Sequence, residues 1–324
     1  MAEKEEYAFS DKEIEIGIDE AGRGPVLGPI VYGLAFWPVG VGEAMRKKHG
    51  FIDSKQVSEQ GREQMFDSIK AMDLTELGWA VNVGMPQDIS NLQLAEMHAG
   101  GKNLNTYSYE LAFSMLAKVL KKGFKVKRII CDAVGPEKLH KAALFNHVKH
   151  YLDSSTEVVC CSKADDIYPV VSAASICAKV TRDQVLNNWQ FKEQIARDSV
   201  LRASNPELAQ ALESKFDREW GCGYPSDPKS KEWLKKTFVD TYGFPTIVRF
   251  SWKTTKTILD NHKSSAEWHD LPIDNGKDKA NSKLNFVKRE EGRKQLQGIS
   301  NLFKKPSEKS LQSKNQLRRC LAGL

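Results

Sequence analysis

Asp19 and Glu20 stand side by side at the end of an alternating β-branched run, Ile14-Glu15-Ile16-Gly17-Ile18, directly ahead of a Gly/Pro-rich stretch from Ala21 to Pro29. Asp132 closes a second apolar run, Arg128-Ile129-Ile130-Cys131, and Asp165 follows a third, Glu157 to Cys161, with Asp166 beside it. Sheet proteins put ligands at the carboxyl ends of their strands, so three such ends tipped by carboxylates can converge on one spot. Four unpaired carboxylates repel each other there, and divalent cations relieve the repulsion. A cluster lacking His and Cys suits hard, oxygen-seeking ions such as magnesium. Two of them, about 3.5–4 Å apart, can activate a water and stabilise a leaving oxygen in phosphoryl transfer. Three independent strand-end acids making caps and turns fit the same spacing, which does not choose between the two readings.

Neighbouring residues on a strand point to opposite faces. Asp19 and Glu20 therefore reach one site only if the chain leaves strand geometry at about residue 20, a turn that Gly22 and Gly24 permit. The glycines of Gly22-Arg23-Gly24-Pro25-Val26-Leu27-Gly28-Pro29 do not fit the dinucleotide fingerprint, and no Lys-Ser/Thr follows to make a phosphate-binding loop. What remains is exposed backbone near the carboxylates, able to approach a sugar, with Arg23 available for a phosphate. A plain strand-connecting turn has the same composition.

The elements that must carry these groups follow from periodicity. Strands are expected at 14–18, 30–37, 77–83, 128–131 and 157–161, and helices at 59–72, 103–120, 137–151 and 170–186. Such alternation argues for an α/β domain with a mixed sheet. Beyond Leu186 the pattern is helical with interruptions, at 190–202, 206–216, 231–242 and 252–259. The expected division is a flexible N-terminal segment (1–13), a catalytic α/β domain (14–186), a helical C-terminal extension (187–262) and a basic, largely disordered tail (263–324).

Composition bounds the rest. The 324 residues carry a net charge of +6 with 28% charged residues, yet residues 1–262 hold 34 Lys+Arg against 35 Asp+Glu, so the basicity belongs to the tail. Overall charge therefore says little about nucleic-acid binding by the main body. No apolar run approaches the roughly 18 residues that cross a bilayer, which points to a soluble chain without a membrane partner. Six unevenly spaced cysteines, mostly in apolar stretches, read as reduced buried thiols rather than disulfides or zinc ligands. The seven histidines, including His140, His147 and His150, read as surface or packing residues.

Ile18-Asp19-Glu20-Ala21-Gly22-Arg23-Gly24-Pro25-Val26-Leu27-Gly28-Pro29 resembles the signature of the type 2 ribonuclease H family. Asp53-Ser54-Lys55, Asp132-Ala133-Val134-Gly135, Lys163-Ala164-Asp165, the run Val170 to Val180 and Gly223-Tyr224-Pro225-Ser226-Asp227-Pro228 match its other motifs in order. Gly243-Phe244-Pro245 with Val248-Arg249-Phe250-Ser251-Trp252 further resembles the family's eukaryotic branch, in which a catalytic A subunit works within a heterotrimer. The likeness spans about residues 14–260.

The resemblance implies a ribonuclease-H-like mixed sheet flanked by helices, with a helical C-terminal extension. It implies an endoribonuclease that hydrolyses the RNA strand of RNA/DNA hybrids and incises duplex DNA 5′ of single embedded ribonucleotides, leaving 3′-hydroxyl and 5′-phosphate ends. Removal of misincorporated ribonucleotides and replication primers, two accessory subunits and a nuclear location follow from the same source. The acids matching Asp19, Glu20, Asp132 and Asp165 would hold two Mg²⁺ or Mn²⁺ ions. Positions matching Gly22, Arg23 and Gly24 would contact the ribose 2′-hydroxyl and its phosphate, and Tyr224 the deoxyribose at the RNA–DNA junction. Lys55 resembles a backbone-phosphate contact, and Lys179 and Arg182, one turn apart, are further phosphate candidates. Cys222 stands where the family usually has Ser, and 192–220 is longer than the family pattern.

Two other classes compete with this enzyme: a hybrid-binding or scaffolding subunit without catalysis, and a nuclease of the same fold acting on DNA alone. In the tail, Ile299, Leu302 and Phe303, ahead of Lys304-Lys305, resemble the apolar plug of a sliding-clamp-binding peptide, with Leu296 where Gln is usual. Docking onto a partner subunit is the rival use of those residues.

Overall fold

Alternation along Glu13–Ala21 (β1) turns Ile14, Ile16 and Ile18 to one face of a sheet, where all three are fully buried. The structure is a computed structural model that describes residues 7–51, 57–99, 103–191, 216–239 and 243–262. β1 pairs antiparallel with Ile30–Pro38 (β2), which pairs antiparallel with Gly78–Gly84 (β3). On its other side β1 runs parallel to Lys125–Asp132 (β4), itself parallel to Glu157–Cys161 (β5). The order β3-β2-β1-β4-β5 brings the carboxyl ends of β1, β4 and β5 to one edge of the mixed sheet.

Helices cover both faces. Leu104–Leu120 (α4) and Glu137–Val148 (α5) bury Phe113, Leu116 and Leu144 with the isoleucines of β1. Asn103 caps α4 by accepting the Thr106 N–H, which fixes the start that the periodicity suggested. The opposite face takes Gly42–His49 (α1), Glu59–Met72 (α2) and Pro169–Asn187 (α7). Pro86–Ala99 (α3) follows β3, and the four-residue Ala164–Ile167 (α6) precedes α7. α7 lies directly on the sheet: a Cβ at Gly17 would stand 2.4 Å from the Val170 carbonyl carbon, and one at Gly33 would stand 2.1 Å from the Ala174 oxygen. Glycine on the strands and Ala173, Ala174 and Ala178 on the helix make that approach possible.

A third cluster joins Val26 and Leu27 of the glycine-rich loop to Trp189, Trp220, Trp233, Ile247 and Val248. Among the described residues its helices are Pro228–Thr237 (α8) and Lys253–Asn261 (α9). All described residues fall within one compact unit, Met1–Lys263.

Several expectations are corrected. β1 continues through Ala21, paired with Val31, so the chain does not leave strand geometry at residue 20. The 137–151 helix ends as α5 at Val148, with a 3₁₀ turn at Lys149–Tyr151. The helix expected at 231–242 runs instead over Pro228–Thr237, because Asp227 caps it and Pro228 opens it. α1 and α3 carry no strong periodic signal. Cys222 is exposed, whereas Cys131, Cys160 and Cys177 are buried; all described cysteines are free thiols. The helices expected at 190–202 and 206–216, and the tail, lie largely or wholly outside the described residues. No helix among the described residues is long and apolar enough to cross a membrane.

Candidate active site

Parallel pairing of β1 with β4 ends at Ile18–Cys131, so Asp19 and Glu20 extend past the last parallel rung beside Asp132. Side chains from both faces of β1 can meet over that open edge. Ligand oxygens of Asp19, Glu20 and Asp132 all lie within 4.8 Å of one another. Thus the two neighbours share one site while both remain on the strand.

The surroundings hold these acids in place. Asp19 Oδ1 accepts the Glu20 N–H at 2.7 Å, and Asp132 Oδ1 accepts the Ala164 N–H at 2.8 Å. The second bond ties the end of β4 to α6, whose Asp165 is buried and close enough to act electrostatically on Asp19 and Glu20. Asp165 is not one of the three residues whose oxygens crowd within 4.8 Å. Asp166 is exposed on the same short helix. Lys163, just before it, adopts a left-handed φ of 57°, a conformation L residues rarely take and one that collects at functional sites.

Burial pushes the Asp19 carboxyl up to about 7; the Ser175 hydroxyl works against this rise and Asp132 and Asp165 add to it. Burial, then Asp19 and Asp132, raise Glu20 as well. Glu20 Oε2 is buried without a hydrogen-bond partner. Crowded acids, all oxygen donors and short of compensating charge, fit hard divalent cations, held by Asp19, Glu20 and Asp132 with Asp165 adjoining.

This sets a pH dependence. The folded pKa of Asp19 lies above its unfolded value, so its contribution to stability in metal-free protein falls as pH rises from about 4 to about 7. A bound cation must displace that proton. Mg²⁺ is therefore expected to raise the melting temperature more at pH 8 than at pH 5.5. Equal shifts at both pH values in a thermal melt would count against the carboxylate site.

Beside the acids lies a cleft of about 400 Å³ lined by Glu20, Gly22, Arg23, Gly24, Lys179, Arg182 and Tyr224, together with Arg62 and Asp183. All the substrate-contact residues expected from sequence meet here except Lys55, which falls outside the described residues, as do Ile299, Leu302 and Phe303. Gly22 has φ +83°, and a Cβ there would stand 2.3 Å from Arg182 Nε. The half-exposed Tyr224 ring packs on Gly24, where a Cβ would stand 2.9 Å from its Cε1. Arg23 donates to Asn105 at the start of α4.

The loop is shaped by Arg249, which is fully buried. Its Nη2 donates to Gly22 O at 2.6 Å, Nη1 to Arg23 O at 3.1 Å and Pro25 O at 2.8 Å, and Nε to Gly28 O at 2.9 Å. Burial pushes its pKa down to about 9, so the guanidinium is charged at neutral pH. Trp252 stacks on it at 4.8 Å and donates to Gly24 O at 3.1 Å. A trans peptide turns each carbonyl opposite to the next N–H. Drawing Gly22 O and Arg23 O toward Arg249 therefore turns the Arg23 and Gly24 N–H groups the other way, as a pair of backbone donors.

Tyr224 is held through its own loop. Asp227 accepts from the Cys222 and Lys229 N–H groups at 2.8 and 3.0 Å, and Ser230 Oγ accepts the Gly223 N–H at 2.9 Å. Gly223 O then takes the Val26 N–H at 2.8 Å, joining the two loops. Sequence reasoning missed the positioning roles of Arg249, Trp252, Ser175, Asn105 and Ser230, and the presence of Arg62 in the cleft. Arg249 and Trp252 do lie in a segment that carries family resemblance, which was the available signal.

The sequence pattern of the family described as ribonuclease HII matches residues 16–200 and 193–255. The A subunit of Homo sapiens ribonuclease H2 is 37% identical over 263 residues, covering 80% of this chain and 77% of its own length. Among solved structures, the ribonuclease H2 of Pyrococcus horikoshii OT3 superimposes with a TM-score of 0.55 at 31% identity, covering 77% of this chain and 98% of that one. The RNase HII in a PCNA:RNase HII complex from Archaeoglobus fulgidus gives 0.53 at 26% identity, covering 78% and 98%.

Proposed function

The chain belongs to the ribonuclease HII family and is a ribonuclease H endonuclease, and from that premise we propose that it incises duplex DNA 5′ of single embedded ribonucleotides as well as the RNA strand of hybrids. The observation that carries this reading is the contiguity of two features: carboxylates crowded within 4.8 Å, and a cleft floored by an Arg249-pinned glycine loop and Tyr224.

Asp19, Glu20, Asp132 and Asp165 would hold two Mg²⁺ or Mn²⁺ ions, which when bound supply activation of the attacking water and stabilisation of the leaving 3′-oxygen. The chain's own groups do the reading. The turned-out N–H groups of Arg23 and Gly24 can donate to a ribose 2′-hydroxyl or its phosphate, the group that separates RNA from DNA. The Tyr224 ring, packed flush on Gly24, leaves no room under the next sugar for a second hydroxyl, and so favours a deoxyribose there. Lys179 and Arg182 would take backbone phosphates, with Lys55 a further candidate.

By the same resemblance the chain is the catalytic member of a nuclear heterotrimer that removes misincorporated ribonucleotides and primers. Clamp binding through Ile299, Leu302 and Phe303 is a second partner proposal; the archaeal relative solved in complex with PCNA supports it.

The test uses the full-length chain, alone and with whatever subunits co-purify, on a duplex carrying one ribonucleotide. We expect one cut on its 5′ side with Mg²⁺ and none with EDTA. Tight binding without metal-dependent cutting would favour a scaffold, and equal cutting of all-DNA duplex a DNA nuclease. Tyr224→Ala should lower incision at single ribonucleotides about tenfold more than cleavage of long hybrids, the scale of one stacked ring. Equal loss on both substrates would remove the junction role.

A further inference from the structure

We propose that Asp183 is an internal counter-ion of the cleft, one that loosely occupies Arg62 and Arg182 in the free protein and thereby keeps nonspecific nucleic acid weakly bound. The inference rests on the reading above that the cleft takes a nucleic-acid strand. It concerns a residue outside the acidic cluster.

Away from the acidic cluster, Asp183 is the one acid among the described residues lining the cleft, where Arg23, Arg62, Lys179 and Arg182 supply the positive charge. Its Oδ1 lies 3.9 Å from Arg182 Nη1 and its Oδ2 lies 3.8 Å from Arg62 Nη2. Both separations exceed hydrogen-bond length, so Asp183 attracts the two guanidiniums without itself bonding either of them directionally.

Arg182 is the better prepared of the two to receive an anion. Its side chain is only 13% exposed, and its Nε and Nη2 are buried with no hydrogen-bond partner. Buried donors of a charged group normally find acceptors. The same Nε is pressed against Gly22, so a phosphate taken by Arg182 would lie next to the loop proposed to read the ribose. Arg62 donates from Nη1 to Val57 O at 2.7 Å, and its Nη2 lies 3.8 Å from Asp183 Oδ2.

A phosphodiester entering this corner replaces a loosely placed carboxylate, at the cost of Asp183's attraction to both arginines. That cost falls on every polyanion alike, whether or not it carries a 2′-hydroxyl. Asp183 thus weakens ground-state and transition-state binding together. Its consequence is quick release of ribonucleotide-free DNA and of cut product.

The experiment measures equilibrium binding of an all-DNA duplex, and turnover on the same duplex carrying one ribonucleotide. It compares wild type with Asp183→Asn, Asp183→Glu and Asp183→Asn/Arg62→Gln in the full-length chain, alone and with the subunits that co-purify. Asp183→Asn is expected to tighten the all-DNA Kd about tenfold, the scale of one neighbouring charge at a partly exposed site. It should also steepen the log Kd against log salt slope by about one and lower KM without raising kcat. Asp183→Glu should return toward wild type, and the double variant should cancel most of the gain.

DNA affinity that is unchanged or weaker in a normally melting Asp183→Asn protein overturns the counter-ion role. Should that variant melt early, Asp183→Ser goes through the same binding measurement, and no tightening there is equally decisive. Wild type that binds DNA but never cuts the ribonucleotide duplex defeats the functional reading instead. The affinity shift still reports on Asp183 in that case.

Discussion

Asp132→Asn is expected to lower turnover on a single-ribonucleotide duplex by about a thousandfold or more, since a metal-held transition state is worth several kcal/mol and each 1.36 kcal/mol is tenfold. Binding should be largely spared, because Asp132 is not among the residues lining the cleft. The fold should also survive. Asparagine keeps an Oδ1 to accept the Ala164 N–H that ties β4 to α6. Losing one of three crowded carboxylates should also ease the repulsion that raises Asp19 and Glu20. The metal-free variant should therefore melt no lower than wild type at pH 8 and gain little from Mg²⁺. Near-normal turnover, measured alongside the melt, would remove Asp132 from the reaction.

Arg249→Leu should cost both stability and catalysis. The guanidinium makes four hydrogen bonds to loop carbonyls, and no leucine atom replaces them. A hydrogen bond to a charged group is worth about 1.5–3 kcal/mol, and carbonyls left buried without donors add a penalty. Water entering the cavity offsets part of this, leaving an expected loss of about 4 kcal/mol in denaturant unfolding. Even where the variant folds, Gly22 O and Arg23 O lose their common anchor, so the Arg23 and Gly24 N–H groups lose their direction. Incision at single ribonucleotides should then fall more than a hundredfold, the scale of losing a preorganised pair of donors. Arg249→Lys should recover little, since one ammonium cannot span four carbonyls. Wild-type incision by a folded Arg249→Leu protein would show that the loop holds its shape without this residue.

The strands were readable wherever one face is buried. Ile14, Ile16 and Ile18 of β1 and Val158 and Cys160 of the edge strand β5 alternate onto one core face, while β2, buried along nearly its whole length, reads as a continuous apolar run. α2 and α4 were readable to within a residue, helped by the Ser58 and Asn103 caps. α1 was not, because only Met45 of its eight residues is buried and a surface helix leaves little periodic trace. The fate of Asp19 and Glu20 was misjudged because alternation sends neighbouring side chains to opposite faces but does not say where pairing with the next strand ends. Pairing of β1 with β4 ends at Ile18–Cys131, and past that rung the carboxylates of Asp19 and Glu20 come within 4.8 Å of Asp132.

The four acids announced themselves because each ends or follows an apolar run, and local pattern is what periodicity measures. Arg249 could not be read that way. It is 221 to 227 residues distant in sequence from the carbonyls it holds, and nothing local marks an arginine that will be buried. The same holds for Arg62 and Asp183, which meet only because α2 and α7 lie on the same face of the sheet.

Short-range order of side chains thus determined which elements form and which acids tip them, since hydrophobic burial and backbone sterics act over a few residues. Which backbone groups face the cleft, and which charges answer one another across it, was decided only by packing. Hydrogen bonds and ion pairs depend on distance in space, and folding alone sets those distances.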